Sequence, residues 1–532
     1  MTIAGDALRA TAGAREHTEA RRLSGDRLAP VLLAAVAFGI AMLTVAPWPV
    51  GVFQDDAIYV VLAKALATGE GFRMINVPGA PHATHFPPAY PMFLAALWKL
   101  SPEFPDNIVL FKFANALFLA GTAALTYRFA RLRFELGTVA AATAALIGTI
   151  SVVVLMVTGV VLSEPMYMLL VIPALLAAER AVEEGDIRWA LATGLLIGVL
   201  ALVRTVGVFL LPAALVVMLA RRQWKCAAAC LVGALVFLVP WQMWVSAHQA
   251  ETPAALVGKY GAYGPWLSEG YRAGGLAFAR AVLVKNADQL FGFLGFITLP
   301  VALPWPRFVS LGAVLGLLVV AACRYWRRVP VTLLFLAGYG AVILAWPFEP
   351  TRFALVWWPV LSVLTVAGAR TVWAWKPDAR GLRLVRIAGL ASVLLIVGGY
   401  GWYNVRGVRE KWWLNIQSTM AGPAKPIAEW VMQSTRPEDV VITDHDLIVY
   451  LYTGRRGVPT ATFTALGHIT PLTPAQDAAV LRTMIRDFTP RWYIAHARQS
   501  IEAADLLVSG PAPLLRYAGS IATARVYEPV TR

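Results

Sequence analysis

Runs of apolar residues long enough to cross a membrane recur through the first three quarters of the chain, separated by short polar segments. A membrane-spanning helix needs roughly 20 predominantly apolar residues, and somewhat shorter runs are tolerated. The pattern predicts a polytopic α-helical membrane protein with about 11 spans on that criterion, and a range of roughly ten to thirteen because two runs are ambiguous. The predicted spans are 31–46, 108–129, 136–157, 162–178, 189–203, 206–219, 227–245, 309–323, 331–346, 353–373 and 387–402.

After residue 402 the pattern changes, and short apolar segments alternate with amphipathic ones. Residues 429–433 and 474–487 predict helices, whereas 440–443 and 492–495 predict short strands. Alternating elements of this kind indicate a small α/β domain held outside the membrane. Nothing in this part of the sequence suggests catalysis.

These patterns divide the chain into three parts. We predict a cytoplasmic N-terminal tail at 1–29, a transmembrane domain at 30–404 with an outward loop at 47–107, and an extracytoplasmic α/β domain at 405–532. The three cysteines fall inside or directly beside predicted spans, so neither a disulfide framework nor a zinc–cysteine site is indicated.

Composition and charge agree with a membrane location. The chain is 58% hydrophobic and 14% charged, which excludes a soluble class. Its formal net charge of +15 comes largely from arginines in one set of short connections and in the N-terminal arm. Cytoplasmic loops carry such an excess, so we predict a multi-pass protein of the inner (plasma) membrane with a cytoplasmic N-terminus and an outward C-terminal domain. The charge therefore requires no nucleic-acid partner.

Asp55 and Asp56 lie a few residues beyond the first apolar run, at the start of a short amphipathic stretch. Paired ionised groups at a membrane face cost desolvation energy and usually serve a function. Two close carboxylates can share a proton or a divalent cation, so a cation is a candidate cofactor here. The alternative is an ordinary helix N-terminus, where aspartate is favoured.

Further along the same outward loop, His82 and His85 precede the consecutive prolines 87 and 88. The prolines favour a rigid turn between two interface helices, which would cover a cavity at the membrane surface. A second predicted loop, 249–285, contains Tyr263 among glycines and other aromatic residues. Such a segment suits a sugar ligand, although an interfacial aromatic belt is an equal alternative.

The predicted topology places several isolated ionisable residues on the outward side with the aspartate pair. These are Glu164 at the start of the fourth span, Arg204 between the fifth and sixth, and Arg352 between the ninth and tenth. A carboxylate can take a proton from an attacking hydroxyl, and an arginine can hold a phosphate leaving group. The set therefore fits a reaction on an anionic, lipid-held substrate.

The order of these motifs resembles the type-C glycosyltransferase superfamily, and more closely its bacterial polyprenyl-phosphate-sugar group, which includes aminoarabinose and protein mannosyltransferases. The resemblance rests on the aspartate pair followed by Ala57 and Tyr59, the proline-pair loop, and the Glu-Pro-Thr-Arg-Phe segment at 349–353. It implies an inverting transferase with a polyprenyl-phosphate sugar donor and an outward-facing active site.

Residue by residue, the resemblance implies that Asp55 is the general base, that Asp56 is the acid beside it, and that Arg352 contacts the lipid phosphate. The substrate site would also include Glu164, His85, Tyr59, Tyr263 and Arg204. Two departures leave acceptor and metal use open: Asp56 stands where many members have glutamate, and His85-Phe86 stands where many have lysine.

Two other classes of function are alternatives. A multispan transporter or lipid flippase would show charges in mid-span and inverted repeats, and neither pattern is evident. A non-catalytic membrane scaffold with an exported binding domain would tolerate the loss of Asp55, whereas an enzyme would not. The sequence does not identify the sugar, the lipid length or the acceptor, which could be a lipid, glycan or protein.

Overall fold

The computed structural model describes residues 27–45, 50–300, 304–377, 379–461 and 464–530. The predicted N-terminal tail therefore lies almost entirely outside the described residues. The helices that carry the membrane part are α1 (Leu28–Leu43), α2 (Asp55–Ala67), α3 (Ala89–Leu100), α4 (Ile108–Arg133), α5 (Thr138–Thr149), α6 (Val152–Thr158), α7 (Glu164–Glu184), α8 (Ile187–Val203), α9 (Leu210–Ala220), α10 (Trp224–His248), α11 (Val257–Tyr260), α12 (Tyr263–Thr298), α13 (Pro304–Tyr325), α14 (Pro330–Ala345), α15 (Pro350–Leu355), α16 (Trp358–Ala374) and α17 (Arg380–Arg409).

Five of the described helices are long and apolar enough to cross a membrane, and the bent pair α5–α6 would make a sixth. Four further apolar helical segments are shorter, at 10 to 17 residues. A multipass membrane protein is thus supported, and the count of about eleven spans stays a prediction. No residue in the most apolar window of helix α17 is buried inside the protein, and such an apolar surface is favourable when lipid covers it.

Small residues allow a close helix contact in this part of the molecule, between α8 and α10. A Cβ atom added to Gly194 would lie 2.0 Å from the carbonyl oxygen of Cys230, and one added to Gly233 would lie 2.7 Å from that of Leu191. Only glycine permits this approach. Membrane helices use such small-residue contacts because lipid removes the hydrophobic drive for association and leaves close packing to replace it.

The two interface helices predicted in the outward loop are present as α2 and α3, and the segment between them holds His82, His85 and the prolines. The prediction of a second loop at 249–285 is wrong. Two short 3₁₀ turns and α11 lead into α12, which is kinked at Gly275, where φ is +53°. The glycine and tyrosine content indicated a loop, but the kink lets the chain remain helical around one left-handed residue.

The C-terminal unit is an α/β domain, as predicted, with helices α18 (Trp412–Ala421), α19 (Ala424–Ser434), α20 (Asp446–Thr453), α21 (Pro474–Phe488) and α22 (Arg498–Ser509). Its strands are β1 (Val440–Thr443), β2 (Arg456–Val458), β3 (Trp492–Ala495), β4 (Leu515–Ile521) and β5 (Ala524–Pro529). The sheet order is β2-β1-β3-β5-β4, parallel among the first three strands and antiparallel at β3–β5–β4. Helix α17 continues to Arg409, so the predicted boundary at 404 falls within a helix.

The C-terminal domain packs directly on the outward segments of the membrane part. Lys259 lies 2.7 Å from a carboxylate oxygen of Asp446, and Tyr260 donates a 2.6 Å hydrogen bond to the other oxygen. The backbone of Gly457 also donates to the carbonyl of Asn76 at 2.9 Å. These contacts fix the C-terminal domain against the loop that carries Asp55.

Candidate active site

Asp55 directly follows a turn in which the backbone is strained. Gln54, directly before it, has φ +62°, in a region that non-glycine residues rarely adopt. The carboxylate of Asp56 stabilises this turn by accepting hydrogen bonds from the backbone N–H groups of Gly51, Val52 and Phe53 at 2.6, 3.0 and 3.0 Å. Strain of this kind persists where surrounding contacts enforce it, and it is concentrated at functional sites.

This geometry separates the roles of the two adjacent acids. Asp56 is fully buried and does not line the cavity described below, so the prediction that it is a catalytic or cation-binding group is not supported by its position. Burial raises the pKa of Asp56, although its three amide donors oppose the rise. Asp56 is therefore a positioning residue, which holds the turn that carries Asp55.

Asp55, Arg352, Glu164 and Arg204 form a continuous chain of ion pairs. Arg352 contacts the carboxylate of Asp55, and its Nε lies 3.1 Å from Oε1 of Glu164. The same Glu164 oxygen lies 2.9 Å from Nη1 of Arg204. Burial opposes the charge on Arg352, but Asp55 and Glu164 outweigh it and raise the pKa of its guanidinium. Residues from four separate connections thus meet, and the predicted topology had placed all four on the same side of the membrane.

Two hydroxyl groups extend the cluster on the side of Arg204. Ser163 accepts a hydrogen bond from Nη1 of Arg204 at 3.1 Å, and its hydroxyl lies 3.0 Å from that of Tyr59. Burial raises the pKa of Tyr59, so the phenol stays protonated at neutral pH. Ser163 was missed by sequence reasoning because a serine directly before a helix is typical of an ordinary N-terminus.

The cluster lines one side of a cavity of about 530 Å³, to which Asp55, Tyr59, His85, Arg204, Tyr263 and Arg352 all contribute. The remaining wall is mainly apolar and includes Val153, Met156, Val157, Phe293 and Val342. Of the predicted substrate-binding residues, Glu164 alone is not part of this wall, because it is fully buried behind the two arginines. Its role is to hold both guanidinium groups.

His85 and Tyr263 form a second, neutral side of the cavity. Their ring centroids lie 3.8 Å apart, and Nδ1 of His85 lies 2.6 Å from the carbonyl oxygen of Gly261, to which it donates. Burial lowers the pKa of His85 to about 4, so the imidazole is uncharged at neutral pH and its Nε2 is an acceptor. His85 therefore adds a hydrogen-bonding group without adding positive charge.

His82 is separated from His85 and lies outside the cavity lining, where it pairs with Glu251 at 2.6 Å. The two histidines of this loop therefore have different environments. Lys259 is a further cavity residue that sequence reasoning missed, because a single lysine in a predicted loop carries no specific signal. It also lines a second cavity of about 350 Å³, which extends to Asp446 and His496 in the exported domain.

Comparison with known proteins shows that the chain has a known fold. The family model described as dolichyl-phosphate-mannose-protein mannosyltransferase matches residues 85–244. Among solved structures, ArnT from Cupriavidus metallidurans bound to undecaprenyl phosphate is 16% identical, with a TM-score of 0.55 over 94% of this chain and 98% of that one. Its apo form is 15% identical, with a TM-score of 0.52 over 94% and 97%. No curated protein matches the chain. The chain therefore shares the fold of ArnT, and this agrees with the resemblance drawn from the sequence motifs.

Proposed function

We propose that this chain, which has the fold of the type-C glycosyltransferases, transfers a sugar from a polyprenyl-phosphate donor to an acceptor outside the cytoplasm. The observation that carries the proposal is the ion-paired cluster of Asp55, Arg352, Glu164 and Arg204 at one side of a largely apolar cavity. An acid, two arginines and an apolar wall match the three parts of the reaction: a proton to remove, a phosphate to hold and a lipid to accommodate.

The lining of the cavity suits both ends of such a donor. Val153, Met156 and Val157 on α6, with Phe293 and Val342, provide apolar surface for the first prenyl units. Arg352 and Arg204 provide donors for phosphate oxygens, and an arginine binds such oxygens through two parallel hydrogen bonds. His85, Tyr59 and Tyr263 remain to hydrogen-bond and pack against the sugar.

Arg352 links donor binding to the base. Without donor, its guanidinium is paired with Asp55, which occupies the carboxylate. A phosphodiester competes for Arg352, and Glu164 keeps the arginine in place while the contact with Asp55 is exchanged. Asp55 is then free to accept a proton from an incoming hydroxyl.

The chemical step follows from these positions. The acceptor hydroxyl attacks the anomeric carbon of the sugar as Asp55 takes its proton. The bond between that carbon and the phosphate oxygen breaks, and its electrons leave with polyprenyl phosphate, whose increasing negative charge Arg352 and Arg204 stabilise. Attack opposite the leaving group inverts the anomeric carbon.

Two comparisons support the donor class. The matched family model is described by a dolichyl-phosphate-linked mannose, and the ArnT structure is described as bound to undecaprenyl phosphate. Both carriers are polyprenyl phosphates. They support a lipid-phosphate carrier and leave the sugar and acceptor of this chain open.

A cleavage assay separates this proposal from the flippase alternative. Purified full-length protein in liposomes is incubated with polyprenyl-phosphate sugars carrying a radiolabelled sugar, together with an extract of envelope glycolipids and glycans. The proposal expects label on an acceptor together with free polyprenyl phosphate, and nuclear magnetic resonance of the product should show the inverted anomer. Movement of intact donor across the bilayer, without cleavage, would instead identify a flippase.

A further inference from the structure

A histidine–glutamate cluster lies on the outward surface, separate from the cavity. His82, in the segment between α2 and α3, meets His248 at the end of α10 and Glu251 in the following 3₁₀ turn. One potential ligand atom from each residue lies within 4.8 Å of the other two. None of the three lines the cavity that contains Asp55.

The three side chains converge on one point. Nδ1 of His82 lies 2.6 Å from Oε2 of Glu251, and Nδ1 of His248 lies 2.8 Å from Oε1 of the same carboxylate. The two imidazole centroids are 4.0 Å apart.

The backbone holds these ligands firmly. His248 and Glu251 are three residues apart in helical geometry, which places both on one face. His82 forms a β-bridge with Arg73, and its backbone N–H donates to Glu251 at 3.1 Å. Trp244, one turn before His248, packs against both imidazoles and donates to the carbonyl of Ala83.

We propose that His82, His248 and Glu251 bind a divalent transition metal, of which zinc fits best. Two imidazoles and one carboxylate are a common zinc ligand set, and a water completes a tetrahedral site. Nitrogen ligands disfavour magnesium and calcium, which prefer oxygen. Zinc–nitrogen bonds of about 2.0–2.1 Å require ligand atoms about 3.4 Å apart. The two nitrogen–oxygen pairs are hydrogen-bonded at 2.6 and 2.8 Å, so a bound ion would replace these hydrogen bonds and move the ligand atoms apart by about 0.6–0.8 Å.

The metal would fasten the loop to the end of a membrane helix. His82 lies three residues before His85, whose ring lines the cavity, so the cluster and the cavity share one short backbone segment. The role we assign is structural, with the ion fixing this segment against α10. The assignment also gives the candidate cation a site other than the aspartate pair, because Asp56 is occupied by backbone amides.

The test measures metal binding to purified full-length protein without donor or acceptor, so it is independent of the proposed reaction. Protein treated with a chelator is incubated with zinc chloride and desalted, and bound zinc is counted by mass spectrometry. We expect about one tightly bound zinc per wild-type chain. Glu251→Gln, which preserves shape, and His248→Ala should lose it, whereas His496→Ala, a matched half-buried histidine in the exported domain, should retain it.

A second readout guards against misfolded variants. Zinc should raise the unfolding temperature of the wild type and of His496→Ala, and leave that of Glu251→Gln unchanged, because only a bound ligand stabilises the native state. Gel filtration establishes that each variant is monodisperse. Wild-type protein that binds no zinc, or zinc retained by both His248→Ala and Glu251→Gln, would overturn the assignment.

Discussion

Replacing Asp55 by asparagine should separate turnover from donor binding. The amide keeps the shape of the side chain but cannot accept a proton, so the general base is lost. Loss of a base of this kind typically costs about 10²–10⁴-fold in rate. We therefore expect kcat to fall by that factor while the protein stays folded, because Asp56 and not Asp55 holds the turn.

The same change should strengthen donor binding. Arg352 is paired with Asp55, and both side chains are partly exposed, at 22% and 24%. Partly exposed pairs are worth up to about 1 kcal/mol, so removing the competing carboxylate should improve donor affinity by up to about fivefold. Glu164 still holds the arginine in place.

The assay combines single-turnover sugar transfer with equilibrium binding of a radiolabelled polyprenyl-phosphate sugar, at fixed salt. Asp106→Asn is the matched control, because Asp106 is an exposed aspartate that, like Asp55, lies between the first two predicted spans. This variant should behave as wild type. The reasoning is refuted by Asp55→Asn turnover within a few-fold of wild type. Weaker donor binding by that variant would refute the competition between Asp55 and the phosphate.

Other parts of the structure give four further expectations. Arg352→Ala should raise the donor KM more than the acceptor KM. Arg352→Lys should recover only part of the loss, because lysine cannot form two parallel hydrogen bonds. If the lysine variant had the same kinetics as the wild type, Arg352 would instead be a headgroup anchor. Asp56→Asn should lower the unfolding free energy by about 1–3 kcal/mol, since its amide nitrogen cannot accept from backbone N–H groups, and an unchanged thermal melt would contradict this role. Asp446→Asn should destabilise the chain by about 3–5 kcal/mol by leaving Lys259 buried without its partner, and limited proteolysis should release the exported domain faster. A reporter active only outside the cytoplasm, fused after Arg532, should be active; a well-expressed but inactive fusion would place the C-terminal domain on the other side.

Sequence alone predicted which residues share one side of the membrane, and did not predict which of them pair. Asp55, Glu164, Arg204 and Arg352 could be grouped because each belongs to a connection on the same predicted side of the membrane. Span parity fixes the side of a residue but not its neighbours within that side. The shared contact of both arginines with Glu164 is therefore visible only in the fold.

The different roles of Asp55 and Asp56 follow from helix geometry. Successive residues of an α-helix are rotated by about 100°, so two adjacent side chains point in different directions. Two adjacent aspartates in a sequence do not indicate which side chain points into a cavity. Here the turn at Gln54 directs Asp55 to the cavity and leaves Asp56 with three amide donors.

The C-terminal domain shows where periodicity is too weak to predict structure. Strands β1 and β3 were predicted from short apolar runs, and the structure buries three of the four residues in each. Strand β4 was missed, since it lies at the edge of the sheet and most of its residues are exposed or half-buried. An edge strand is formed by pairing with its neighbour, and the sequence around it need not carry a hydrophobic signal.

The charges in the cluster explain why a buried glutamate accompanies two arginines. Arg204 and Arg352 repel each other, and Glu164 lies against both, so the three residues carry one net positive charge. A phosphodiester donor carries one negative charge and balances it once Arg352 leaves Asp55. In the proposed reaction, cleavage adds a second negative charge to the departing phosphate at the moment Asp55 is neutralised by a proton. Once Asp55 is neutral it no longer competes for Arg352, and the positive charge of Arg352 can stabilise the leaving phosphate. Removal of the proton and departure of the phosphate therefore favour each other.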